Sequence, residues 1–225
     1  MATQGPRAVE AGDTLDTLVD QFSDQYAFLR ELIQNSIDAG SAQVWVSFEF
    51  KPSSDGKGGI AILHIDDTGE GMTREIIDTQ LTRLFSSSKE SDMTKIGKFG
   101  IGFVSIFALN PNAVIVDTGR GGENWRIMWN LSKHSRNQFD RIILNRPVDG
   151  TQIQFIKEMS NEEYAKFRDR SLKTIIHWCK HAEAEVYVDN ELINQPFQLA
   201  HPLVSMHEVP GTVISLAPTT ESEPF

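Results

Sequence analysis

Glu31, Asn35 and Asp38 set a carboxylate, an amide and a second carboxylate at spacings of four and three within ELIQNSIDAG (31–40). Side chains at those spacings stack on one side of an α-helix, which leaves Leu32, Ile33 and Ile37 to face a core. Such a polar stripe is either the solvated face of an amphipathic helix or the edge of a binding site. Asp67-Thr68-Gly69-Glu70-Gly71 then places a carboxylate at a strand end, followed by two glycines that let backbone approach a ligand closely. Gly97-Lys98-Phe99-Gly100-Ile101-Gly102 opens directly onto an apolar helix. Unpaired N–H groups and the partial positive charge of a helix N-terminus suit phosphate. Gly150-Thr151 adds a turn that opens a strand. The 97–102 glycines lack the spacing of a dinucleotide fingerprint and follow a loop. No Lys-Ser or Lys-Thr follows the last of them, as a Walker A motif requires.

Taken together, in this order and separation, these pieces resemble the GHKL ATPase superfamily. Its members include gyrase-type topoisomerases, the ninety-kilodalton heat-shock chaperones, histidine kinases and mismatch-repair MutL. Glu31-x-x-x-Asn35-x-x-Asp38-Ala39 is similar to the family's N box, and Asp67-x-Gly69-x-Gly71 to its first glycine box. Gly97–Gly102 resembles the second glycine box, and Gly150-Thr151 the closing Gly-Thr. DTGEGMT and GKFGIGF resemble the chaperone branch most, while ELIQNSIDAG and SSSK also resemble MutL. The likeness covers residues 13–157, about two thirds of the chain. It implies the Bergerat fold, with ATP and Mg²⁺ as cofactors. By the resemblance, Glu31 orients and deprotonates the attacking water, and Asn35 supplies an amide oxygen to Mg²⁺. Asp38 and Gly71 belong to the same nucleotide site. Asp67 accepts a hydrogen bond from the adenine amino group, Thr151 supports the base, and Met72 packs against it. The segment from Thr79 to Gly102 is then an ATP lid. Its candidate phosphate contacts are Lys89, Lys98 and the Phe99, Gly100, Ile101 and Gly102 backbone. Family members commonly take a γ-phosphate contact from a following domain, and nothing in 184–225 identifies it.

Several elements must hold these residues. The pattern predicts a helix from Ser23 or Asp24 to Ala39, stopped at Gly40, after an earlier helical stretch at 14–22. Alternation over 44–50 and 59–67 predicts an antiparallel hairpin around SSDGKGG. Helices follow at 74–85 and 102–110, flanking a Ser/Lys/Gly-rich loop at 86–100. Strands are predicted at 112–118, 123–130, 139–145 and 151–157, then a long helix over 162–182 capped by Ser160 or Asn161. A strand pair over 184–193 turns at Asp189-Asn190, and one more strand spans 211–218. This order gives an α+β, two-layer sandwich of a mostly antiparallel mixed sheet with helices on one face. The expected divisions are a loose arm at 1–12, the nucleotide-binding domain at 13–183, and a short β extension or second-domain start at 184–225.

Of 225 residues, 40% are hydrophobic and 23% charged, ordinary for a soluble domain. No apolar run nears the about 20 residues of a membrane helix, and the N-terminus lacks a signal-peptide core. Cys179 is the single cysteine, so a reducing, cytoplasmic setting is expected. The net charge of −10 points away from nucleic acid as a partner. His177 and His181 share a helix face without a second cysteine or an HExxH motif, and read as helix surface or packing. Trp125 and Trp129 alternate with Ile127 and read as sheet packing. The leading functional expectation is a slow ATP hydrolase whose nucleotide state closes a lid and controls homodimerisation or partner binding, chaperone-like or MutL-like. The alternatives are a nucleotide-dependent binding module with negligible turnover, or a histidine-kinase-type phosphotransferase. The last finds no acceptor helix in the chain.

Overall fold

The computed structural model describes residues 24–82, 102–131, 138–195, 205–209 and 212–216. Helix α1 (Ala27–Asp38) begins one turn later than its pattern predicts. Asp24 accepts the Tyr26 N–H at 3.0 Å and so closes a turn before the helix instead of capping it. Phe28, Leu29, Leu32 and Ile33 are buried, and Gly40 at φ +77° turns the chain away from the helix. The hairpin forms as expected from β1 (Gln43–Pro52) and β2 (Gly58–Asp67).

The helix expected over 74–85 takes a different form. A single α-turn, α2 (Arg74–Ile76), runs into a π-helical turn, Ile77–Leu81. Both the N–H and the hydroxyl of Thr82 close on the Ile77 carbonyl, at 2.8 and 2.9 Å, which holds the wider i to i+5 ring. The apolar helix at 102–110 is likewise altered. Residues 102–104 are α-helical, Ser105–Leu109 tighten to a 3-10 helix, and Asn110 ends it at φ +49°.

The remaining strands are β3 (Ala113–Arg120), β4 (Glu123–Asn130), β5 (Asp140–Ile143) and β6 (Thr151–Ser160). Helix α3 (Asn161–Cys179) is capped by Ser160, whose hydroxyl accepts the Glu163 N–H while Glu163 accepts the Ser160 N–H. After α3 come β7 (Glu185–Val188) and β8 (Glu191–Leu192), joined through Asp189 and Asn190 at positive φ. The eight strands form one sheet in the order β5-β4-β3-β6-β2-β1-β7-β8. All its pairings are antiparallel except β1 with β7. That parallel pair places residues 185–188 in this sheet. The α3 crossover returns the chain to the far edge of the same sheet, and the first compact unit runs to Asn194. The second unit, Gln195–Phe225, contains an antiparallel pair, β9 (Ser205–Val209) and β10 (Thr212–Leu216).

Cross-strand rows on one sheet face meet the helices. Val46, Ile65, Ile153, Val116 and Ile127 make one such row by register, and Leu63, Phe155, Val114 and Trp129 the next. Phe28 of α1 and Phe167 of α3 stack on Phe155 at 5.8 and 5.6 Å. Each such side chain removed from water contributes roughly 1.5–3 kcal/mol. This confirms the α+β two-layer class. Trp129 is fully buried against Phe103, Phe107 and Phe139, as sheet packing. Trp125, partly buried against the same core, also has the Arg74 and Arg141 guanidinium groups each 5.8 Å from its ring centroid. Among the described residues no helix is long and apolar enough to cross a membrane.

Candidate nucleotide site

One cavity of about 300 Å³ opens where the C-terminal half of α1, the turn after β2 and the ends of β3 and β6 converge. That volume is at the small end of the range for ligand pockets, about 300–1,000 Å³. Leu32, Phe103, Val116 and Ile153 form its apolar lining, and Ile76, Gln80 and Leu81 bring in the π-helical turn. Its polar lining includes Asn35, Ser36, Asp38, Asp67 and Thr151.

The strand register explains why polar groups meet here. Asp67 is opposite Thr151, and Thr151 opposite Thr118, so the row that is apolar further along the sheet turns polar at its last step. Asp67 is 7% exposed and fully engaged by local donors on one oxygen. Its Oδ1 accepts the Gly69 N–H at 2.8 Å and the Thr151 N–H at 3.1 Å; its Oδ2 accepts the Ser36 hydroxyl at 2.9 Å. A carboxylate offers about four lone-pair positions, so one remains, on Oδ2. Burial pushes the Asp67 carboxyl above the ordinary carboxylate range, and the bonds from Gly69, Ser36 and Thr151 pull it partly back.

Thr118, fully buried, ties the site together. Its hydroxyl accepts the Met72 N–H at 2.9 Å, lies 3.1 Å from the Gly150 carbonyl and 3.2 Å from the Thr151 hydroxyl. The glycines are required by contact as well as by conformation. A Cβ on Gly71, at φ +64°, would lie 2.1 Å from the Gly119 carbonyl; one on Gly150, at φ +66°, would lie 2.2 Å from the Asp67 carbonyl. The Glu70 N–H donates to the Ala39 carbonyl at 2.9 Å, which pins this turn to the end of α1.

Of the residues singled out in the sequence, Asn35, Asp38, Asp67, Gly71, Met72 and Thr151 line this cavity. Asn35 is half-buried; Asp38 is exposed and accepts the Gln34 amide at 2.7 Å. Glu31 lies one turn before Asn35, apart from these lining residues. Its carboxylate is held by Arg30, Nε at 3.0 Å and Nη2 at 2.5 Å. Arg30 in turn sits over the Trp178 ring at 4.8 Å. Gly102 packs against Glu31, so that a Cβ there would come within 3.0 Å of Glu31 Oε2. Lys89, Lys98, Phe99, Gly100 and Ile101 lie outside the described residues, as does most of the expected lid.

The sequence reading missed Ser36, Thr118 and the wall from Ile76 to Leu81. Ser36 carried a usable signal, a hydroxyl on the buried stripe of an amphipathic helix beside Leu32 and Ile33. Thr118 did so more faintly, since Asp117-Thr118-Gly119 repeats the Asp67-Thr68-Gly69 tripeptide.

A model of the histidine kinase-, DNA gyrase B- and HSP90-like ATPases matches residues 26–164, more than half of the chain. Chaperone protein HtpG of Chlorobium luteolum is 26% identical over 210 residues, 82% of this chain and 33% of the relative. The Ehrlichia ruminantium HtpG is 27% identical over 208 residues, 81% and 32% of the two chains. That of Wolbachia pipientis wMel is 29% identical over 193 residues, 73% and 30%. The chain thus spans about a third of the length of these relatives. It belongs to the histidine kinase-, DNA gyrase B- and HSP90-like (GHKL) ATPase family.

Proposed function

We propose that this chain binds ATP with Mg²⁺ and hydrolyses it, and that the nucleotide state closes a lid and controls dimerisation or partner binding. The observation that carries the reading is the remaining acceptor position on buried Asp67 Oδ2, beside Thr151 in a cavity with apolar lining. A purine amino group is a planar N–H donor on an otherwise apolar-faced ring, and this combination suits it. Met72 packs at the same wall.

The donor set also fits a hard cation. Asn35 offers an amide oxygen at the cavity wall, and no cluster of three or more His, Cys, Asp or Glu exists among the described residues. A cation here would therefore complete its shell with phosphate and water oxygens, the habit of Mg²⁺. When bound, it would offset the charge of the phosphates. The chain's own part in the chemistry falls to Glu31. Its carboxylate takes a proton from water as the water oxygen bonds to the γ-phosphorus. The bond to the β,γ-bridging oxygen breaks, and ADP leaves with that electron pair. Gly102 leaves the room in which Glu31 sits.

A second reading, a nucleotide-dependent binding module with negligible turnover, is favoured by one observation. Arg30 engages the Glu31 carboxylate, so the base is occupied until that pair parts. Phosphate release measured at steady state separates the two. The hydrolase reading requires release by the parent chain and its loss in Glu31→Ala at unchanged ATP affinity. Tight ATP binding with no release at any concentration would establish the binding module instead.

A further inference from the structure

The turn between β2 and α2 crosses from the end of α1 to the end of β3, and its midpoint carries an ion pair. Glu70 Oε2 lies 2.5 Å from Arg120 Nη2. Both residues line the cavity, yet their side chains remain 65% and 39% exposed, so the pair stands at its mouth. The backbones beside them are in contact, since a Cβ on Gly71 would lie 2.1 Å from the Gly119 carbonyl. Glu70 N–H is bonded to Ala39 at the end of α1, whereas Arg120 ends β3 just before Gly121 and Gly122 at positive φ. Two residues earlier on β3, Thr118 touches both Met72 and Thr151, so the mouth is at the base end of the cavity and not at the Asn35 side.

We infer that the Glu70–Arg120 pair is a specificity gate: it closes the mouth beside a purine anchored at Asp67 and excludes bases bearing a substituent on an edge that does not face that carboxylate. This rests on the reading that the base docks at Asp67. Because the pair is exposed, its own attraction is small and screened by salt. Its effect is therefore mainly steric, through the volume of the two side chains.

Calorimetric titration of the full chain with ADP, 2-methylthio-ADP and 8-bromo-ADP tests the gate. In the parent, at least one substituted nucleotide is expected to bind tenfold or more weakly than ADP. In Arg120→Ala that gap is expected to close to threefold or less. Arg120→Lys, which keeps the charge and most of the volume, is expected to retain the gap. Parent affinity for both substituted nucleotides within threefold of ADP would overturn the gate, as would a tenfold gap persisting in Arg120→Ala. Either result leaves the ATP reading intact. Failure of the parent to bind ADP at all would remove both.

Discussion

Replacing Asp67 by Asn changes one atom of the site and separates its structural role from its recognition role. An Asn oxygen at the Oδ1 position still accepts from Gly69 and Thr151, now 2.8 and 3.1 Å away. The Asn NH₂ would donate to Ser36 Oγ, whose own hydrogen turns to the Leu32 carbonyl, already 3.2 Å distant. The internal network is therefore conserved. What is lost is the acceptor toward the ligand, where an N–H would face the purine amino group. A hydrogen bond to a charged group contributes about 1.5–3 kcal/mol, so affinity for ATP should fall roughly 10- to 150-fold. Stability should move the other way. Burial raises the Asp67 pKa, so its contribution to stability is complete below the unfolded value and is lost as pH rises through the folded one. Asn has no such loss, and Asp67→Asn should melt at or above the parent temperature at pH 7, with a smaller difference near pH 4. Ligand binding by the parent requires the ionised carboxylate and should weaken as pH falls through that raised pKa. Isothermal titration with ATP and thermal melts across pH 4–7 measure both. Affinity within threefold of the parent, or a melt well below it at neutral pH, would refute the reasoning.

Gly102→Ala puts a methyl within 3.0 Å of Glu31 Oε2 and 3.3 Å of its Cβ, so phosphate release should drop at least tenfold while ATP affinity stays within threefold, by coupled-enzyme assay and calorimetry. Thr118→Val leaves the Met72 N–H and the Gly150 carbonyl without that hydroxyl, and urea unfolding should show a loss of about 1–3 kcal/mol. Ser160→Ala removes the α3 cap and should destabilise by about 0.5–2 kcal/mol in the same assay, leaving nucleotide affinity unchanged because the cap is remote from the cavity.

Local signals carried most of what was legible. The polar stripe of α1, the glycines around Asp67 and the capping box at Ser160 announce themselves within a few residues. Pairing across the sheet does not. Asp67-Thr68-Gly69 and Asp117-Thr118-Gly119 read alike, yet strand alternation turns Asp67 into the cavity row, whereas from the second tripeptide it turns Thr118 in. Asp117 points to the opposite face, where Arg126 at 2.7 Å and Arg146 at 2.5 Å neutralise it. A single residue of register decides which side chain joins the site. The parallel β1–β7 pair is invisible for the same reason, since β7 and β8 look like a self-contained hairpin. The π-helical turn depends on Thr82 closing back on Ile77, a choice that an apolar spacing cannot reveal. The Arg30–Glu31 pair joins neighbours in sequence, but its support by Trp178 comes from α3, far along the chain.

A crystal structure of the chain with a non-hydrolysable ATP analogue and Mg²⁺ tests the central claim most directly. The account requires the adenine amino nitrogen within hydrogen-bonding distance of Asp67 Oδ2, and the triphosphate running past Asn35 toward Glu31. Analogue density elsewhere on the chain, or an adenine turned so that another edge meets Asp67, would contradict it.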